Sequence, residues 1–198
     1  MAFVKEIILM TNENLLQIED FIAKIGGDLN HVRRVLHISR ILAEKENISY
    51  NEDALVFASY YHDVSAYPAY NPRWPLDHAL ESSKLVPELA REYGYRDDII
   101  EIIVEAVKNH DKPGIGTFNE TRLIRNADGV DYLGFMAVAR DFSTWPTDMK
   151  KAVEALKRRK KMFLPLIDLE YAKILAASRV DELDIFIRRF EEESFGIY

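Results

Sequence analysis

Apolar residues recur at helical spacing along almost the whole chain, and no long alternating stretch or internal repeat interrupts them. That period commits the chain to an all-α fold. A first helix is predicted over about residues 13–25, stopped by Gly26-Gly27, and a second from near Asn30 to about Glu46. On the second, His31, Val35, Ile38 and Leu42 share one face. Ser49-x-x-Glu52 reads as a capping box for a third helix, with Leu55, Ala58 and His62 inward and an end at His62-Asp63. Asp77 is expected to cap a fourth helix, which Pro87 should kink or divide before Gly94 closes it. Asp97 is expected to cap a fifth, with Ile99, Ile103, Ala106 and His110 on one face. Thr117-x-x-Glu120 reads as a second capping box, opening a helix on which Ile124, Asp128, Asp131 and Phe135 share a face. Two or three amphipathic helices should follow, to about Glu193. No linker resembles a domain boundary, so one domain over 1–198 is expected.

Composition narrows the chemistry. Of the 198 residues 48% are hydrophobic, enough for one substantial core. The absence of cysteine excludes disulfides, thiolate zinc sites, iron–sulfur clusters and cysteine nucleophiles, so any metal must take nitrogen and oxygen ligands. It also suits a reducing cytoplasm, the expected location. A net charge of −7 gives no electrostatic footprint for duplex nucleic acid. The apolar N-terminal stretch is broken by Asn12, Glu13 and Asn14, too early for a spanning helix and without a cleavage signal, and no membrane partner is expected.

Polar side chains on otherwise apolar helix faces are costly unless satisfied. His31, His62, His110 and Asp128 sit this way, each near a helix end. Converging helix ends carrying imidazoles and carboxylates can bind Mn²⁺, Fe²⁺, Co²⁺, Ni²⁺, Zn²⁺ or Mg²⁺. A consecutive His62-Asp63 pair can aim two ligands at one ion, and the carboxylate has a second oxygen that can bridge to another.

His31 in NHVRRV, His62-Asp63 in YYHDVS and Asp128 in RNADGVDYLG form the pattern H…HD…D. This resembles the HD-domain superfamily of metal-dependent phosphohydrolases, over about residues 28–135, with additional C-terminal helices over 136–198. The resemblance implies an all-α fold with a metal near its centre, held by His31, His62, Asp63 and Asp128. It also implies cleavage of a phosphate ester or anhydride, often in a nucleotide, by a metal-activated water. His78 and His110 extend the pattern to one that binds two ions in several similar branches; one ion is preferred here, because His78 lies beside a loop. His110, His78 and Arg34 are the candidate catalytic residues. Arg34, one turn from His31, is placed to hold a phosphate. The acidic residue that follows the HD pair in some nucleotidases of the superfamily is missing from HDVSAY.

A di-iron oxygenase of similar fold, and a non-catalytic metal- or nucleotide-binding regulatory protein, are the alternatives. A homo-oligomer is compatible with the sequence. His37 falls off the His31 face. Asp131 is placed to support the site or cap a helix, and Asp111 and Lys112 to reach its mouth. Tyr67, Tyr70, Arg73 and Trp74 can stack a base or simply order a surface loop. The basic run Lys157–Lys161 is expected to be a solvated helix face.

Overall fold

The protein is described by a computed structural model that covers residues 10–69 and 77–198. Among these residues there is no strand, and nine α-helices carry the chain. The first three are α1 (Asn12–Lys24), α2 (Leu29–Glu46) and α3 (Glu52–Tyr61), followed by a 3₁₀ turn at Val64–Ala66. Then come α4 (His78–Glu92), α5 (Asp97–Asn109) and α6 (Asn119–Asp131). Last are α7 (Phe135–Thr144), α8 (Met149–Phe163), a 3₁₀ turn at Leu164–Leu166 and α9 (Glu170–Glu193). None of the helices is long and apolar enough to cross a membrane. The expected N-terminal apolar stretch up to residue 9 lies outside the described residues.

The helix faces follow the hydrophobic spacing. α3 is buried from Asp53 to Tyr61, which makes it the central helix. It packs against α2, α5 and α6, while α4 lies along α5. Ile22, Val35, Leu42, Leu55, Phe57, Ile103, Leu123 and Ile124 belong to the core these helices enclose. A second, smaller cluster joins the last third: Ala137, Val153, Leu156, Leu183 and Ile187, with Phe142, Phe186 and Phe190 packed on it. α6 is buried from Glu120 to Asp131, Arg122 excepted, although its sequence, NETRLIRNADGVD, is largely polar. Each of its polar groups therefore needs a partner, and the partners lie on other elements.

Several local signals are overruled by such long-range partners. Asp28 caps α2, its carboxylate accepting from His31 N at 3.0 Å, and Asp77 caps α4 as its position predicts. The two capping boxes do not form. Asn51, not Ser49, caps α3, accepting from Ala54 N at 2.9 Å, while Glu52 turns to Arg40. Thr117 gives its N–H and its hydroxyl to Glu105 of α5 at 2.7 Å, and Phe118 N donates to the same carboxylate at 2.9 Å. Glu120 accepts instead from Asn51 N. A carboxylate from a neighbouring helix satisfies these end groups as well as a local cap does. Asp97 lies inside the first turn of α5, after Arg96, and makes no side-chain cap. Pro87 sits within one continuous helix and does not divide it. Phe135 leaves the face of Asp128 and Asp131, because the chain breaks at Gly134 (φ +74°) and Phe135 begins α7 largely exposed.

Candidate metal centre

Five helix ends meet at the predicted residues. His31 comes from the first turn of α2, His62 caps the C-terminus of α3 and Asp63 follows it. His78 opens α4, His110 caps the end of α5, and Asp128 stands in the last turn of α6. All but His78, whose side chain is 20% exposed, are buried. Bringing helix ends together, rather than helix middles, lets side chains from five helices reach one region without opening the core.

The donor atoms fall into two groups. His31, His62 and Asp128 each offer an atom within 4.8 Å of the others, and so do His62, Asp63 and His110. His31 Nε2 is 3.2 Å from Asp128 Oδ1, and His62 Nε2 is 3.8 Å from the same oxygen. Asp63 spans the two groups with its two oxygens. Oδ2 lies 3.4 Å from His62 Nε2, while Oδ1 lies 3.1 Å from His78 Nε2 and 3.4 Å from His110 Nε2.

Each buried imidazole is held from behind. His62 Nδ1 donates to the carbonyl of Ser59 at 2.8 Å, and His110 Nδ1 to that of Val107 at 2.7 Å. His31 Nδ1 donates to Asp131 at 2.8 Å. With Nδ1 protonated for these bonds, each Nε2 lone pair points inward. Histidine ligands to metals are built this way. The inward atoms His31 Nε2, His62 Nε2, Asp63 Oδ1 and Asp128 Oδ1 are buried without a hydrogen-bond partner. Four orphaned acceptors spread over two adjoining donor groups call for a cation, and nitrogen plus carboxylate donors suit a divalent one. The residues therefore fit the metal that the sequence implies.

Without a cation the site draws protons. Burial disfavours charge on His31, but Asp128 and Asp131 outweigh it and raise its pKa to about 9. Burial likewise opposes charge on His110, and Asp63 prevails, again raising the pKa to about 9. The Asp63 carboxylate is held well below the usual range against its burial by His62, His110 and His78. These shifts record how strongly the carboxylates favour positive charge between them.

Arg34 reaches this end of the fold, as its spacing predicts, and lands on Asp131: Nε at 2.7 Å and a terminal nitrogen at 3.0 Å. Asp131 is fully buried and is also 3.3 Å from Arg140. His37 is exposed on the far side of α2.

A cavity of about 440 Å³ opens on the centre, lined by Asp63, His78, His110, Asp111 and Asp128 together with Tyr132, Met162, Phe163 and Leu166. The last three come from the end of α8 and the turn after it, so the C-terminal third walls the site. Tyr132 stacks on Phe163, with ring centroids 4.3 Å apart. Asp111 lines the cavity, and Lys112 lies 3.9 Å from Asp111. Tyr132 and Arg140 were not marked by the sequence, although Tyr132, one turn after Asp128, carried a readable signal. Of the aromatic loop, Tyr67 is buried, while Tyr70, Arg73 and Trp74 lie outside the described residues. In the basic run, Lys157, Arg159 and Lys160 pair with Glu191, Asp141 and Asp184, tying α8 to its neighbours.

The HD domain family profile matches residues 28–133, more than half of the chain. The chain belongs to the HD-domain family. The match begins at the cap of α2, ends just after α6 and contains all six clustered residues. No curated protein matches the chain. Solved structures share the fold. A predicted HD superfamily hydrolase from an uncultured Thermotogales bacterium is similar at 21% identity and TM-score 0.63, covering 90% of this chain and 92% of that one. YpgQ of Bacillus subtilis is similar at 19% identity and TM-score 0.69, covering 93% of this chain and 97% of that one. YpgQ in complex with ADP is similar at 19% identity and TM-score 0.67, covering 89% and 93%.

Proposed function

We propose that this HD domain is a metal-dependent phosphohydrolase acting on a phosphate ester or anhydride of a nucleotide. The observation that carries the reading is the set of buried, unpartnered Nε2 and carboxylate atoms of His31, His62, Asp63 and Asp128, of which Asp63 and Asp128 line a cavity. A divalent ion bound there supplies an acidified water and positive charge opposite the phosphoryl oxygens. His31, His62, Asp63 and Asp128 hold that ion. Asp63 Oδ1, His78 and His110 form a second donor group one carboxylate away, and the shared carboxylate favours two ions over the single one preferred from sequence.

The nucleotide is supported by two observations. The structurally similar YpgQ was obtained with ADP. The cavity itself joins an acid–imidazole floor to an aromatic and aliphatic wall, suited to a substrate polar at one end and flat and apolar at the other. Arg34 supports the site by bracing Asp131 behind His31 rather than by gripping the phosphate.

The test joins metal analysis of the purified protein to a panel of nucleotides assayed with Mn²⁺, Co²⁺, Ni²⁺ and Mg²⁺. Metal-dependent release of phosphate or pyrophosphate from at least one nucleotide is expected. A silent panel, with two irons per chain and consumption of oxygen, would hand the site to the oxygenase alternative.

A further inference from the structure

Two stretches of chain line the cavity away from the metal donors. Asp111 opens the loop after α5, while Phe163 and Leu166 come from the end of α8 and the turn after it. The family match stops at residue 133, so this second stretch lies outside the matched region. Both stretches are tied to α6, the helix that carries Asp128, by a row of side chains that the metal centre does not use. Its members, Arg122, Arg125, Asn126, Gly129 and Tyr132, recur at helical spacing.

Asp168, two residues after Leu166, is where the row converges. Asn126 is fully buried. Its Oδ1 accepts from the N–H groups of Asp168 and Leu169 at 2.8 and 3.0 Å, and its Nδ2 donates to Asp168 Oδ1 at 2.8 Å. Arg122 Nε donates to the same oxygen at 3.0 Å. The buried Arg125 acts as a strut: one terminal nitrogen donates to Asp168 Oδ2 at 2.8 Å, the other to the carbonyl of Ile115 at 2.6 Å. It thereby joins the loop that opens at Asp111 to the turn that follows Phe163. Glu105 anchors the far end of that loop separately, through Thr117 and Phe118. Further along α6, Gly129 lets the turn lie against the helix. A Cβ there would fall 3.1 Å from Ile167 Cγ1 and 3.3 Å from the Phe163 carbonyl oxygen. Tyr132 ends the row, stacked on Phe163.

A buried arginine and a buried amide carry a desolvation cost that an apolar seam of the same shape avoids. What a fully bonded polar network gives in return is one fixed arrangement of the elements it joins. Here those elements are the cavity's lining on the side of Asp111 and on the side of Phe163 and Leu166. We propose that Asp168 is a positioning residue for the substrate: with Arg125 and Asn126 it fixes both linings and so sets the fit of the cavity to the nucleoside part of a nucleotide. The inference rests on the nucleotide reading above, in which the ions meet the phosphate and the cavity lining meets the rest. It assigns discrimination between a nucleotide and free phosphate to a residue that touches no metal donor.

The test is calorimetric titration of the Mn²⁺-loaded protein with ADP and with inorganic phosphate, for the unaltered chain, Asp168→Asn and Gly129→Ala. Asparagine keeps the shape of Asp168 but has one acceptor oxygen, so it cannot receive Arg125 on one side and Arg122 with Asn126 on the other. Gly129→Ala removes no bond and favours the helix, so it folds even if Asp168→Asn does not, and it pushes the turn off α6. In each variant ADP affinity should fall about tenfold, the scale on which a pocket responds to a small change of fit. Phosphate affinity, and Mn²⁺ affinity followed by electron paramagnetic resonance, should stay within about twofold, because the donor set is untouched. A lower melting temperature with the ratio of ADP to phosphate affinity unchanged would overturn the proposal and leave the network a role in stability alone. Equal losses of ADP and phosphate affinity would also overturn it, by placing the effect at the ions. Binding of phosphate but not ADP by the unaltered protein would overturn the proposal and the nucleotide, with the phosphohydrolase reading left standing; binding of neither would overturn both readings.

Discussion

His31 Nδ1 donates to Asp131 Oδ2 at 2.8 Å across 100 residues of sequence. The bond sets the imidazole's tautomer and turns its Nε2 toward Asp128, 3.2 Å away. Asp131 is itself gripped by both donors of Arg34 and approached by Arg140, so neither its position nor its charge is free to change. Its carboxyl is held far below the usual range, despite burial, by His31 and Arg34.

Asp131→Asn should therefore weaken metal binding while leaving the ligand set whole. Loss of the charged partner behind a ligating histidine costs about 10–100-fold in affinity. Titration with Mn²⁺ should show that drop with unchanged stoichiometry. An affinity equal to the parent's would show that Asp131 serves only the packing of Arg34.

The two donor groups predict two ions. His78→Ala combined with His110→Ala removes both imidazoles facing Asp63 Oδ1 and leaves His31, His62 and Asp128 intact. Elemental analysis should find metal per chain halved, with the remaining ion tightly held. Full metal content in the double variant would establish a single-ion centre.

Stability should depend on pH in a direction that metal reverses. His31 and His110 have pKa values raised from 6.5 to about 9 in the folded, metal-free protein. Between those values the folded chain holds protons that the unfolded chain has released. Their contribution is thus complete below pH 6.5 and is lost as the pH climbs through about 9. Thermal melts of metal-free protein should fall in temperature across that window. With saturating Mn²⁺ the trend should flatten or invert, because the ion takes neutral imidazole and competes with protons. A metal-free melting temperature that rises over the same window would refute the assignment of these protons.

His37→Ala should leave metal content, turnover and stability unchanged within error, since its side chain is exposed on the opposite face of α2. A large loss of turnover in a folded variant would mean that the phase of α2 is misread.

The sequence by itself determined the helices and the identity of the clustered residues. A period of 3.6 is a local property, so His31, His62, His110 and Asp128 could be assigned to inward faces and helix ends from spacing alone. Their burial together bears that out. Local signals failed where another group, near or distant in sequence, did the same job. Ser49 and Thr117 lost their capping roles because Asn51 caps α3, Glu105 receives the first amides before α6, and Glu120 turns to Asn51. Arg34 was correctly aimed at the site, yet its partner, Asp131, lies on another helix and could not be read from spacing. The C-terminal third gave no motif, because Arg140, Phe163 and Leu166 matter only through what they touch. Only the tertiary structure decided which oxygen of Asp63 faces which histidine, what stands behind His31 and what walls the cavity. Those relationships depend on helix packing across long sequence separations, where a shift of about 1 Å decides whether donor and acceptor meet, and no local period carries that information.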